Sequence, residues 1–297
     1  MLGTSIKIDA HQHFWNYNPK EYDWINDDMA VIRKDFLPAQ LKAELISAEI
    51  DSVISVQARQ SEAETHQLLA FAKEHDFIAG VVGWLPMASA NFEAILATYR
   101  QEPKLKGLRH VIQGESDDRY ILSEAFNRGV RRTLEAGLAY DILILERHLP
   151  HATKFADHHE GQRLILDHIA KPKIAKGEIE PWRKNLKELA QREHVYCKLS
   201  GVVTEANIKN WKESDLLPFI EVAMEAFGPQ RLMFGSDWPV LLTGMSYQAW
   251  INMIKNIVGR WSTSEQAQFW GLNAKSAYQL DTSAQGLKRK FDLTCSK

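Results

Sequence analysis

The sequence predicts a single (β/α)8 barrel, a TIM barrel, with a long lid loop after strand 1 and extra helices at its C-terminal end. Three observations carry that expectation. Eight short apolar runs bounded by turn or polar residues recur along the 297 residues. Segments with helical spacing separate them. The runs are on average about 32 residues apart, room for a strand and a crossover helix, so the strands should be parallel and their connections right-handed. An open doubly wound sheet is the runner-up. If it bound a dinucleotide it would need a Gly-rich phosphate turn, and neither G-x-G-x-x-G nor a P-loop occurs.

The first run is Ile6–Ala10, and some 23 residues from Phe14 to Phe36 follow it, rich in Trp and Tyr and read as a packed lid. Leu41, Leu45, Ile46 and Ala48 then space as a helix before the run Ser52–Gln57. Ser61 with Glu64 is a cap pair opening the helix of Leu68, Leu69, Phe71 and Ala72, ahead of Ala79–Leu85. Ser89 and Phe92 open the next helix, with Ile95, Leu96 and Tyr99, before Gly107–Ile112. The later runs are Asp141–Leu145, Arg163–Asp167 and Val195–Leu199. Gly228-Pro229 closes the helix Leu216–Phe227 before the last run, Leu232–Phe234. Ser246–Val258 and Ser264–Leu280 read as two terminal helices, giving one domain over 1–280 and a polar tail over 281–297.

Composition narrows the function. With 36 Lys+Arg against 38 Asp+Glu, no bulk cationic field exists to recruit nucleic acid or an anionic membrane, so a small molecule is the expected partner and homo-oligomerisation is left open. Cys197 and Cys295 cannot build a disulfide framework or a Cys-based zinc motif, which fits a reducing compartment. Neither a signal-peptide pattern nor an apolar run of about 18 residues is present, so a cytoplasmic location is expected.

In a parallel barrel, chemistry sits where strands end at the C-terminal face. Strand one leads into His11-Gln12-His13, whose imidazoles should point to one side, strand six into Asp167-His168, and strand eight into Asp237-Trp238-Pro239. His11, His13, His168 and Asp237 together suit one Zn2+ or similar divalent ion, with Asp237 moving the proton of an attacking water and His168 or the ion polarising a carbonyl. No Lys or Glu ends strand five unless Glu146 is drawn in, so a bridging ligand is missing and a binuclear site is disfavoured. Arg109 and His110 end strand four, and since neighbours in a strand face opposite sides, only one should enter the barrel. Gln57, Arg59 and the aromatic walls Trp15, Trp84 and Trp238 would suit a polyhydroxylated ring. His148, His151, His158 and His159 fall on one helix and receive no role.

The motifs Ile-Asp-Ala-His-Gln-His-Phe-Trp, Gly-Leu-Arg-His, Leu-Asp-His-Ile-Ala-Lys-Pro, Cys-Lys-Leu-Ser-Gly and Phe-Gly-Ser-Asp-Trp-Pro resemble the amidohydrolase superfamily. Within it they are most similar to the branch with sugar lactonases such as L-fuconolactonase and L-rhamnonolactonase, and with 2-pyrone-4,6-dicarboxylate lactonase. The resemblance runs from about residue 6 to Leu280. It implies the (β/α)8 fold, a lactone ester as the bond cleaved, His11, His13, His168 and Asp237 at the centre, and Arg109 and His110 near the substrate. It also implies one divalent ion, members of the branch differing in whether activity requires it. With Arg59 and Arg109 the only arginines close to a strand end, a neutral six-carbon sugar lactone fits better than a dicarboxylate. The alternatives are a metal-dependent decarboxylase of the same superfamily and a non-catalytic metal- or sugar-binding barrel.

Overall fold

The computed structural model describes residues 5–281. Eight parallel strands follow one another round the sheet in chain order: β1 (Ile8–Gln12), β2 (Ser52–Val56), β3 (Ile78–Gly83), β4 (Leu105–Val111), β5 (Ala139–Leu143), β6 (Leu164–Leu166), β7 (Val195–Leu199) and β8 (Leu232–Phe234). The intervening helices are α1 (Pro38–Ala48), α2 (Glu62–Glu74), α3 (Phe92–Thr98), α4 (Glu124–Glu135), α5 (Leu149–His158), α6 (Trp182–Ala190), α7 (Glu213–Arg231) and α8 (Tyr247–Val258). This is the (β/α)8 barrel that the run spacing predicts. The polar tail and Cys295 lie outside the described residues.

The seam between β8 and β1 is closed beyond the strand ends. Asp237 N–H donates to His11 O at 2.8 Å, and His13 N–H to Trp238 O at 2.7 Å. A buried carboxylate reinforces it: Asp9 Oδ1 accepts from the Ser236 and His11 backbone N–H groups, and Oδ2 from the Tyr247 hydroxyl. Burial raises the Asp9 pKa to about 6 against these hydrogen bonds.

Six of the eight strands differ from the sequence reading by one or two residues at one end or both, and the pairing accounts for two of these shifts. The first strand runs to Gln12 rather than Ala10, because β1 keeps pairing with β2 through a bulge between Asp9 and Gln12. The fifth begins at Ala139 rather than Asp141, opposite Gly107 of β4. The Ser61–Glu64 cap pair does not close on itself, since the buried Glu64 carboxylate is taken by the N–H groups of Ala58 and Arg59 at 3.0 Å each. Gly228 does interrupt α7, with non-helical dihedrals of φ 60° and ψ 178°. The terminal helix expected over Ser264–Leu280 is instead α9 (Thr263–Ala267), a π-turn (Gln268–Leu272) and α10 (Asn273–Ala277). The π-turn brings Gly271 against the chain entering β1, where an added Cβ would lie 2.0 Å from Ile6 O.

Two apolar layers hold the barrel. The larger lies between strands and helices. The smaller lines the barrel interior, where Ile8, Ile54, Val82, Ile165 and Met233 meet Ala274, Ala277 and Tyr278, so the C-terminal helix plugs the end opposite the strand C-termini. The Phe14–Phe36 loop is a packed lid: Trp15, Tyr22, Ile25, Ile32 and Phe36 are buried, and Trp15 and Phe36 form an antiparallel bridge. Among the described residues no helix is long and apolar enough to cross a membrane.

Candidate active site

The bulge in β1 decides which residues face the barrel axis. Ile8 and Ala10 pack inward, so strict alternation would send His11 and His13 outward. The extra residue reverses the phase after Ala10, and both imidazoles turn in. His13 Nδ1 lies 2.7 Å from Val56 O, an acceptor only, so that nitrogen carries the proton and Nε2 keeps its lone pair for the axis. His11 Nε2 lies 3.2 Å from His13 Nε2, Asp237 Oδ1 lies 3.2 Å from His13 Nε2, and the third edge, His11 Nε2 to Asp237 Oδ1, is 3.8 Å. Ligands at 2.0–2.2 Å from a tetrahedral ion are about 3.4 Å apart, so these three atoms fit a single divalent metal. Burial, then the neighbouring Lys198, hold His11 well below its ordinary pKa, in the neutral form that a ligand requires. Burial works against ionisation of Asp237, but His168, His11 and His13 outweigh it and hold the carboxyl well below its usual range.

β6 delivers His168 through an unusual backbone. His168, Ile169, Ala170 and Lys171 all have positive φ, from 47° to 62°. Left-handed residues with a Cβ cost roughly 1–2 kcal/mol each, so the turn persists because it is pinned. Trp182 Nε1–H donates to Ile169 O at 2.7 Å, and Lys171 N–H to His168 O at 2.8 Å. The His168 ring sits 4.4 Å from that of His11 and its Nδ1 lies 2.9 Å from Ser200 Oγ. Burial lowers its pKa to about 4, so it is neutral near pH 7. Gly201, φ 62°, makes room for this pair: a Cβ there would stand 2.5 Å from His168 Nδ1 and 3.2 Å from Asp237 Oδ2.

Below this layer runs a buried charge array that the sequence reading did not single out. The Lys198 ammonium, fully buried on β7, contacts Asp141 Oδ2 at 2.5 Å, Asp167 Oδ1 at 3.0 Å and His11 Nδ1 at 3.2 Å. Arg109 Nη1–H donates to Asp167 Oδ2 at 2.9 Å, and its other terminal nitrogen to Gln57 O. The Tyr278 hydroxyl reaches Asp141 from the plugging helix. One signal for Lys198 was available: a Lys inside a strand buried on both faces must find counter-charges. Asp141 also shows that strand five does supply a buried carboxylate, but Lys198 occupies it; Glu146 instead pairs with Lys173 at 2.8 Å.

The strand ends open into a cavity of about 560 Å3, lined in part by His13, Arg59, Arg109, His168, Lys171 and Asp237, with Trp24, Glu21 and Lys20 from the lid. Of the residues expected to touch substrate, Arg59 and Arg109 line it. Five do not. His110 faces away from the axis, bonded to Glu115 at 2.6 Å and Trp84 at 3.2 Å and stacked on Tyr120. Trp84 is its partner there, not a wall. Gln57 is fully buried behind Arg109. Trp15 serves the lid core, with Nε1–H on Lys34 O, and Trp238 packs edge-on against Phe14 and Phe36. These apolar faces gain more from burial under the lid than from exposure at the mouth. The aromatic residue that does line the cavity is Trp24.

A closed parallel barrel that gathers imidazoles and an ionised carboxylate beneath an open cavity at the C-terminal ends of its strands has the layout of an enzyme centre whose donor atoms could hold a metal ion. The chain belongs to the amidohydrolase family, whose model matches residues 8–280. It is 39% identical over 295 residues to an L-fucono-1,5-lactonase of Burkholderia multivorans, the match spanning 94% of this chain and 98% of that one. A crystal structure of an amidohydrolase from the same species with bound zinc superposes with a TM-score of 0.89 at 38% identity, covering 93% of this chain and all of the other. A dihydroxybenzoic acid decarboxylase from Polaromonas with bound manganese shares the fold alone, at 13% identity and a TM-score of 0.68 over 95% of this chain and 99% of that one.

Proposed function

We propose that this chain hydrolyses the ring ester of a neutral sugar lactone, with L-fucono-1,5-lactone the first substrate to try. The observation that carries the reading is the spacing of His11, His13 and Asp237, the last two lining the cavity, joined to similarity along nearly the whole chain to a lactonase. His11 Nε2, His13 Nε2 and Asp237 Oδ1 would hold the metal, for which Zn2+ suits the nitrogen-rich set. When bound, such an ion lowers the pKa of water to about 7 and polarises a carbonyl.

The protein's own residues do the rest. Asp237, ionised near pH 7, accepts a proton from the water as its oxygen adds to the lactone carbonyl carbon. The tetrahedral species collapses with cleavage of the bond between that carbon and the ring oxygen, and Asp237 returns the proton to the departing oxygen. Neutral His168, held through Nδ1 by Ser200, keeps its other ring nitrogen for the site. Arg59 and Trp24 hold the sugar beneath the lid.

Proton release in weak buffer over a panel of aldonolactones tests the reading. Wild type should acidify with at least one lactone, and Asp237→Asn should lose about 10²–10⁴-fold in kcat/KM, the usual worth of a general base. Equal rates in the two proteins would sink it. Chelation followed by Zn2+ or Mn2+ in the same assay decides the metal requirement.

A further inference from the structure

Ring opening turns a neutral ester into a hydroxy acid, and that acid loses its proton to solvent near pH 7. The product therefore gains one negative charge beside the Asp237 carboxylate, where two like charges repel.

Four cations line the cavity: Lys20 stands exposed on the lid, and Arg59, Arg109 and Lys171 each have a carboxylate within ion-pair distance. Arg59 Nη1 is 2.9 Å from Glu21, and Arg109 Nη1 is 2.9 Å from Asp167. Lys171 makes the longest of these ion pairs, 3.6 Å to Glu205 Oε1. Its placement is built: the pinned left-handed turn that begins at His168 ends on Lys171, so the same four residues set the imidazole and the ammonium on one cavity wall. The hydrolytic step does not use it.

We propose that the Lys171 ammonium is the seat of the carboxylate that ring opening creates, so that the site separates an anionic hydroxy acid from its neutral lactone through this one side chain. The inference rests on the lactone-hydrolysis reading. The ammonium donates to a carboxylate oxygen in a hydrogen bond between opposite charges, stronger than the one that the uncharged carbonyl oxygen of the lactone can accept.

The experiment compares wild type with Lys171→Met, Lys171→Gln and Lys171→Arg, using a neutral lactone as substrate and its own hydroxy acid as inhibitor, with the acid's Kd also measured by calorimetry. Removing the charge should weaken acid binding by about tenfold or more, while KM for the lactone moves by less than about threefold. Lys171→Arg should restore most of the acid affinity. Equal movement of acid binding and KM, or no change in acid binding, overturns the proposal, since a merely structural role would not tell an anion from a neutral ring. Thermal melting checks that each variant is folded, and the Gln and Arg variants stand in if Met is not. Should wild type release acid from no lactone, the hydrolysis reading fails by itself. Calorimetry on the same proteins then still decides the seat: a Kd unchanged by loss of the charge, or no acid binding to wild type, refutes it.

Discussion

Replacing Lys198 by Met keeps the aliphatic stem and deletes the ammonium, leaving Asp141 and Asp167 fully buried, Asp167 still paired with Arg109 and Asp141 left with the Tyr278 hydroxyl. Breaking a buried ion pair from one side costs about 3–5 kcal/mol, because the abandoned charge cannot reach water. For a domain this large, 1 kcal/mol corresponds to roughly 2–4 °C, so the melting point should fall by about 10 °C near pH 7. The pH dependence has a definite sign. Burial holds Asp141 above its ordinary carboxylate pKa even with Lys198 present, so the folded state binds a proton that the unfolded chain does not. Stability from this group therefore rises as pH falls through the folded pKa, until the unfolded value near 3.9 is reached. Deleting Lys198 removes the charge that restrains this shift, so the penalty should shrink on acidification by up to about 1.4 kcal/mol per pH unit. Asp141→Asn should likewise recover most of the loss, giving a large positive coupling in a double-mutant cycle read by urea unfolding at pH 5, 6 and 7. A penalty below about 1 kcal/mol, or additive losses in the double variant, would refute the view that Lys198 is a structural counter-charge.

Two further outcomes follow from the site. Burial raises Glu64 to about 7 while it holds Ala58 N–H, Arg59 N–H and the lid's Tyr22 hydroxyl. Its folded pKa exceeds the unfolded one, so stability falls as pH rises from about 4.5 to 7, and Glu64→Gln should remove that slope from a series of urea midpoints. Gly201→Ala places a Cβ at φ 62° and 2.5 Å from His168 Nδ1; it should cost about 1–2 kcal/mol of stability and more than about tenfold in kcat, and an unchanged kcat would show that His168 need not be held where it is.

The fold was legible because its period is coarse. Eight apolar runs with helices between them admit few arrangements, and errors of one or two residues at strand ends leave the topology intact. The strand-end positions were legible for the same reason: His11, His13 and Asp237 lie within one cluster of donor atoms, and the His168 ring packs 4.4 Å from that of His11. Side-chain direction was less so. Alternation placed one of Arg109 and His110 inside but could not say which, and the inward turn of His11 depends on a bulge that no residue in Asp-Ala-His announces. The tryptophans were misplaced because an aromatic residue near a strand end satisfies a lid as well as a ligand, and only packing tells them apart. Lys198 and Asp141 went unassigned because a charge within an apolar run shows nothing of its partner across the barrel.

The seam between β1 and β8 has a consequence for how the protein comes into being. His13 and Asp237 are 224 residues apart in the chain yet 3.2 Å apart in space, and the Asp9 carboxylate that ties β1 to Ser236 waits as long for its partner. A nascent or truncated chain lacking the last strand has the two imidazoles of β1 without the Asp237 carboxylate. The three-atom cluster therefore forms only once β8 has been made and has closed on β1, so its assembly reports that the whole circuit of the barrel is complete.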